Sequence, residues 1–530
     1  MSSKQTLTSR TRFSILILLI LIVALGGLLR FYGLTWGDGL FFHPDENNMA
    51  RAISQLNLNS GFHPDFFAYG QLPLYLVYFS YQLVHGLDLR LVPFKEAIYN
   101  LRFWSALFST LTIPLVYLIS RKLLSTSYSL LTAVLVAFMP GLIQAAHFGT
   151  TESLLTFFFM LIIYLTLHLG PGPKYRSILM GIVFGLAVGT KVSALYFIAP
   201  VIVASLYVAR DWKRFIYFWL IFTVFAVLVA LLASPYNLVD YESYLSSMRY
   251  ESAVALGEVK VFYTRQFENS VPLVFQAIRV FPFAVGFITS IFGLFGLLLS
   301  LREYRKQFFV ILIFSFLFII AVNSLIFAKW TRFMTPAYPL FAVFTAYALY
   351  KLQNKLAVIL VLLFTVAQGV LLFQIYTMPD TRIAASTWIN ENIPDGSYIL
   401  SETANVVDIP VRNENELTVI SFDFYHLDQE EELSDQLINH LEKADYIFVP
   451  SRRLFANLPQ NAGNYPLLEK YYDALFSGRL GFELIHTQPP YFEPRRSDLL
   501  GSFEEIWAEE TFTVFDHPTI RVYKKVDVLE

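Results

Sequence analysis

The chain has 530 residues, of which 55% are hydrophobic, 17% aromatic and 15% charged, with a formal net charge of −2. With a mean hydropathy of +0.52, that composition belongs to an integral membrane protein. The near-neutral balance excludes a nucleic-acid partner and a strong pull toward anionic surfaces. The absence of cysteine excludes disulfides, thiolate nucleophiles and cysteine-ligated metal sites.

In chain order, Arg10 and Arg12 precede an apolar run, 13–30, about as long as a membrane span. Arg30-Phe31-Tyr32 is bulky and charged, not a cleavage site, so the run is read as an uncleaved first helix. The tetrad His43-Pro44-Asp45-Glu46 follows. Pro44 discourages helix at His43, so the two acids begin a helix that Ala50, Ile53 and Leu56 continue with helical spacing. Two readings stand for the pair. Acids simply favour a helix N-terminus, or Asp45 is a general base or cation ligand. His43 and His63 both open His-Pro-Asp triplets. They are either two proline-initiated turns or part of a metal site with the carboxylates.

The stretch Leu72–His85 is apolar but too short to cross a bilayer, and is placed on the outer membrane surface as an amphipathic helix. Further apolar segments fall at 99–119, 128–147, 151–169, 178–190, 193–209, 214–234, 281–301, 307–327, 333–350 and 355–376, making about eleven spans. With a cytoplasmic N-terminus carrying Lys4, the short basic loops all face the cytoplasm, as the positive-inside rule expects. They hold Arg121-Lys122, Lys174 with Arg176, Arg210 to Arg214, Arg302 to Lys306 and Lys351 to Lys355. The loops 31–98, 148–151, 191–192, 235–280 and 328–332 then face outward, with the tail from about 377.

That outer face collects the remaining charges. Glu152, in His147-Phe148-Gly149-Thr150-Thr151-Glu152, is a carboxylate at membrane depth, which costs about 2.5–3.5 kcal/mol on lenient scales unless paired or used. Arg102 begins the second span, Lys191 follows Gly189-Thr190, and Lys329 and Arg332 flank Trp330. Singly, each suits a snorkelling role. Together they suit an anionic lipid-phosphate. Tyr236 and the other tyrosines of 235–280 are either interface anchors or contacts to an acceptor. From 377 to 530 the composition becomes that of a soluble α/β domain. It has a helix then turn at 388–396, strands at 397–400 and 446–450, a helix at 431–443, and a terminal hairpin pairing 512–515 with 520–523.

The first span and outward Asp-Glu pair resemble those of the GT-C membrane glycosyltransferases, above all glycosyltransferase family 39, the protein O-mannosyltransferase and aminoarabinose-transferase group. Phe67-Ala68-Tyr69-Gly70-Gln71-Leu72-Pro73-Leu74-Tyr75-Leu76 is similar to the segment leading into that family's interfacial helix. Gly185-Leu186-Ala187-Val188-Gly189-Thr190-Lys191 resembles its lysine-bearing hairpin. Arg332-Phe333-Met334-Thr335-Pro336-Ala337-Tyr338-Pro339 resembles its late Arg-Tyr-x-x-Pro-x-x-Pro element, with Phe333 in place of tyrosine. The resemblance covers about residues 10–380.

It implies a polytopic α-helical membrane protein, in keeping with the about eleven transmembrane helices counted above, with a glycosyltransferase domain over 1–376 that includes the outer loop 31–98; the tail over 377–530 lies outside the resemblance and is read from its residues and sidedness as an extracytoplasmic soluble α/β domain. The resemblance implies a polyprenyl-phosphate sugar donor, a protein, glycan or lipid acceptor and a place in the cell membrane. Asp45 would be the general base, with Glu46 and Glu152 as further catalytic candidates. Arg102, Lys191, Lys329 and Arg332 would bind the donor phosphate. His43, His63, Tyr69 and Tyr236 are candidate acceptor or sugar contacts, and a divalent cation is a candidate cofactor. The competing reading is a transporter or lipid flippase, which would carry its ionisable groups near the midplane, often with inverted repeats.

Overall fold

The computed structural model describes residues 9–87, 89–169, 174–208, 211–402, 408–411, 416–458, 463–490 and 503–526. Lys4 and Arg210, two of the basic residues used for sidedness, lie outside them.

Among the described residues, the apolar runs read as membrane spans form helix. α1 (Ser9–Phe31) leads to α2 (Pro44–Gln55) and α3 (Leu72–His85), then α4 (Phe94–Ser120). α5 (Thr126–Ala137) and α6 (Pro140–His147) are one apolar run bent by 49°. Pro140 opens the second half, where its missing N–H would otherwise break the ladder. α7 (Glu152–Leu167), α8 (Lys174–Thr190), α9 (Ile198–Val208) and α10 (Trp212–Ala233) follow. A short α11 (Tyr236–Val239) and the polar α12 (Tyr241–Leu256) then lead through π-helical turns to α13 (Phe287–Ser300). α14 (Gln307–Leu325), α15 (Tyr338–Leu352) and α16 (Lys355–Gln374) end the bundle.

Among the described residues, six helical segments are long and apolar enough to cross a membrane: 10–31, 94–120, 212–233, 282–303, 307–325 and 355–377. The bent α5–α6 pair makes a seventh if it is one span. That is fewer than the eleven crossings expected from sequence, several of which fall on shorter apolar helices such as Glu152–Leu167. α3 is a 14-residue helix that stops at Gly86 in the left-handed conformation (φ 102°). Its Leu74, Val77, Tyr78 and Tyr81 pack with Met49 and Ile53 of α2 and Ile98 and Leu101 of α4.

Beyond the bundle, α17 (Thr381–Asn392) leads into a five-stranded sheet of β1 (Tyr398–Glu402), β2 (Thr418–Phe422), β3 (Tyr446–Val449), β4 (Phe482–Gln488) and β5 (Ile520–Lys525). The order is β2-β1-β3-β5-β4, with β1 parallel to β2 and β3 and β5 antiparallel to β3 and β4. Alternation along each strand feeds two cores. Leu400, Ile447 and Tyr523 face one with α18 (Glu431–Lys443), α19 (Arg453–Asn457) and α20 (Pro466–Phe476), while Ile399, Phe448 and Val522 face the other with α17. α21 (Phe503–Trp507) precedes the last turn region.

The expected terminal hairpin does not form. Residues 510–512 are a 3-10 turn, and β5 pairs instead with β3 and β4. The alternating apolar pattern at 512–515 has another cause. Phe512, Val514 and Phe515 are buried in the bundle's own core, where Gln144 Nε2 donates to the Phe512 carbonyl at 2.8 Å.

Candidate active site

His43 stands in extended backbone, and Pro44 opens α2 where a helix leaves N–H groups unpaired in any case. The His43 carbonyl accepts from Asn47 N at 3.2 Å and closes the first turn. Consecutive residues of an α-helix point about 100° apart, so Asp45 and Glu46 diverge.

Glu46 turns inward. Arg102 Nε and Nη2 donate to its two oxygens at 3.0 and 2.8 Å, and the Gly149 N–H donates at 2.5 Å. Both side chains are fully buried. The remaining Arg102 nitrogen, Nη1, donates to the carbonyls of Leu34 and Trp36 at 2.9 and 3.0 Å, with the Trp36 ring 4.3 Å away. Gly149 is required here, since a Cβ would lie 2.6 Å from that of Leu101. Neither Glu46 nor Arg102 lines the cavity that Asp45 faces or the smaller recess beside it.

Asp45 turns toward a cavity of about 580 Å³. It is ion-paired with Arg332 and hydrogen-bonded by Tyr69. Burial disfavours its charge, but Arg332, His43 and Lys191 outweigh burial and hold the carboxyl below the ordinary carboxylate range. Arg332 lies 4.9 Å from the Trp330 ring, and its buried Nε has no hydrogen-bond partner among the described residues.

Glu152, the first residue of α7, meets Lys191 Nζ at 3.4 Å in the same cavity. Lys191 is 4.7 Å from the Tyr69 ring and 5.5 Å from that of Phe333. The backbone dictates this meeting. The Gly70 N–H donates to the Thr190 carbonyl at 3.0 Å, and the carbonyl of Gly189 leaves no room for a Cβ on Gly70. Two segments far apart in sequence are thereby clipped together one residue from Tyr69 and Lys191.

The other expected residues lie elsewhere. His43 is packed between Phe148 and Phe515, with ring centroids at 4.6 and 4.5 Å, and burial pulls its pKa down. Its Nδ1 has no partner among the described residues, and it borders a smaller recess shared with Glu152 and Arg332. His63 Nε2 is 3.1 Å from Asp240, and its Nδ1 is 2.9 Å from Asp65. Tyr236 donates to the Gly61 carbonyl at 2.5 Å. Both brace the outer loop and do not border the cavity. Lys329 is buried, donates to the Phe327 carbonyl at 3.0 Å and also stays out of the cavity. Among the described residues no three His, Asp or Glu groups converge as metal ligands.

The cavity also has walls that sequence reasoning missed. α12 contributes Glu251, whose carboxyl burial pushes up against the opposing pull of Arg332. Tyr263 follows α12. Arg453, Thr511 and Phe515 come from beyond residue 377. An acid within a tyrosine-rich outer loop was the available signal for Glu251.

Residues 89–236 match the model of the dolichyl-phosphate-mannose-protein mannosyltransferase family. A sequence comparison with curated proteins gives no match. Among solved structures, the oligosaccharyltransferase of Archaeoglobus fulgidus is similar with a TM-score of 0.53 at 15% identity, over 87% of this chain and 73% of that one. The same organism's AglB, in complex with an inhibitory peptide and a dolichol-phosphate, gives 0.53 and 15% over 88% and 73%. ArnT from Cupriavidus metallidurans gives 0.51 and 14% over 86% and 92%. The chain thus shares the fold of these solved structures. The family match contains Arg102, Glu152 and Lys191, whereas Asp45 and Arg332 lie outside it.

Proposed function

We propose that the protein transfers a sugar from a polyprenyl-phosphate donor to an acceptor hydroxyl or amine at the outer face of the cell membrane. The observation that carries this reading is the convergence of the Asp45–Arg332 and Glu152–Lys191 pairs on one cavity within a GT-C fold. The acceptor oxygen or nitrogen attacks the anomeric carbon and gives its proton to Asp45. The bond from that carbon to the phosphate oxygen breaks, and the polyprenyl phosphate leaves with the electron pair. Arg332 and Lys191, which both line the cavity, stabilise the charge that develops there, the kind of contribution that often dominates catalysis. As the donor phosphate draws Arg332 away from Asp45, the carboxylate gains basicity. Attack opposite the leaving group inverts the anomeric centre.

The same reading takes the shorter apolar helices as crossings, which makes about eleven, and sets residues 377–530 outside the cytoplasm. Glu46 and Arg102 hold α2 in place and touch no substrate. A transporter or flippase is not favoured, because Asp45, Glu152 and Lys191 sit at helix ends, at the starts of α2 and α7 and beyond the end of α8. The test is transfer from radiolabelled polyprenyl-phosphate sugars in membranes, with the product anomer determined. Transfer with inversion is expected. A retained configuration, or a reporter fused after residue 380 that reads cytoplasmic, would sink the proposal.

A further inference from the structure

The residues from Ala508 to His517 follow the first four strands in sequence, yet they sit inside the helical bundle. Glu509, Glu510, Phe512, Asp516 and His517 are each at most 1% exposed. Tyr376 donates to Asp516 at 2.6 Å, and Gln144 Nε2 donates to it at 3.0 Å. Phe515 lies against His43, and Arg453 pairs with Glu510 at 2.6 Å while bordering the cavity.

Glu509 is the informative member. Its Oε2 accepts from the backbone N–H of Thr331 at 3.0 Å and from Thr511 Oγ1 at 2.5 Å. Its Oε1 accepts from Gln266 Nε2 at 2.9 Å and from Thr511 N at 3.1 Å. The Thr331 carbonyl in turn accepts from Tyr338 Oη at 2.7 Å. The residue preceding Arg332 is therefore pinned at both backbone polar groups, by Glu509 on one side and by α15 on the other. A segment that only filled space would do so more cheaply with an apolar side chain, because a buried carboxylate must find donors for its oxygens.

We infer that this segment of the C-terminal domain completes the active site, with Glu509 as the positioning residue that sets Arg332 against Asp45. This rests on the reading of Arg332 as a ligand of the donor phosphate. A displacement of about 1 Å at such a group can cost about a hundredfold in rate.

The test uses the full-length protein in lipid membranes. Three variants are compared: Glu509→Ala, Glu509→Gln, and Arg521→Met as a control. Arg521 pairs with Glu505 at 3.0 Å, buried in the same domain, and does not border the cavity. Amide exchange of the peptide spanning 328–338 is read beside sugar transfer. Glu509→Ala should speed that exchange at least tenfold and lower transfer about a hundredfold. Glu509→Gln keeps a carbonyl oxygen for Thr331 and should lose less than tenfold in transfer. Arg521→Met should stay within about threefold of wild type per folded molecule. Unchanged exchange in Glu509→Ala would overturn the inference, as would an equal loss of transfer in Arg521→Met. If the wild type transfers no sugar, the proposed reaction fails on its own. The exchange measurement then decides the positioning, with faster exchange in Glu509→Ala upholding it and unchanged exchange overturning it.

Discussion

Asp45 and Glu46 are neighbours on the same helical turn, and each is matched to an arginine, yet the two pairs live in different places. Glu46–Arg102 is fully buried on both sides and saturated by a backbone N–H and two carbonyls. Asp45–Arg332 is 20% and 27% exposed, at the edge of a cavity, with Arg332 Nε unpartnered. A rotation of about 100° along one helix separates a buried brace from a carboxylate that faces the cavity. The lesson is that adjacency in sequence says little about shared chemistry once a helix has formed.

The largest expected effect breaks the contrast on the cavity side. Asp45→Asn should lower transfer by about 10²–10⁴, the usual worth of a general base, with thermal stability in detergent close to wild type. Full transfer by this variant would remove Asp45 as the base.

The opposite outcome is expected one residue later. Glu46→Ala leaves the Arg102 charge buried without its partner and should destabilise the fold by about 3–5 kcal/mol. The molecules that stay folded should transfer within about tenfold of wild type. A double variant, Glu46→Leu with Arg102→Met, should recover most of that stability, since a buried ion pair is often replaceable by apolar residues. If Glu46→Ala unfolds at the wild-type temperature, the brace is misassigned.

A pH profile sharpens the difference further. Arg332, His43 and Lys191 overcome the burial of Asp45 and keep it ionised to unusually low pH. Transfer should therefore be flat near neutrality and fall only as pH drops through that lowered pKa. Stability linked to Asp45 is lost in the same acid range. Arg332→Gln removes the strongest of the favourable neighbours, so the acid limb should move to higher pH while kcat/KM falls about 10²–10³-fold, as when a charge-stabilising group is lost. An unmoved limb would mean that Arg332 does not set the ionisation of Asp45.

Much of the bundle could be read from sequence because uninterrupted apolar runs leave little choice but helix, as at 99–119 and 214–234. Asp45, Glu152, Lys191 and Arg332 could also be grouped in advance, because sidedness puts helix-end charges on one face. Depth and direction could not be read. Nothing in the string says that Arg102 points at Glu46 while Arg332 points at Asp45. The clip at Gly70 is a close approach of two backbones, visible only in three dimensions. Residues 512–515 misled for a related reason. Period-two apolar spacing suits a strand, but here the partner surface is the bundle rather than another strand, and burial there decided the conformation. Glu251 and Glu509 were missed because a single acid carries no periodic signal.

A further prediction, on stability alone, tests whether the arginine partner is what separates one buried carboxylate from another. Glu402, at the end of β1, is 4% exposed, and its near partner is a hydroxyl: Tyr472 donates to Oε1 at 2.6 Å. Burial pushes its pKa up to about 8, against the opposing pull of Tyr472 and the more distant Arg521. The folded state then holds a proton that the unfolded chain gives up above its ordinary value of 4.5. Stability linked to Glu402 is full below 4.5 and declines as pH rises toward 8, by about 1.4 kcal/mol per pH unit. Glu402→Gln should remove that slope. The variant should gain on wild type steadily from pH 5 to pH 8 in denaturant melts. Parallel stability curves for the two proteins would show that Glu402 is ionised in the fold, and that a tyrosine serves it as well as an arginine serves Glu46.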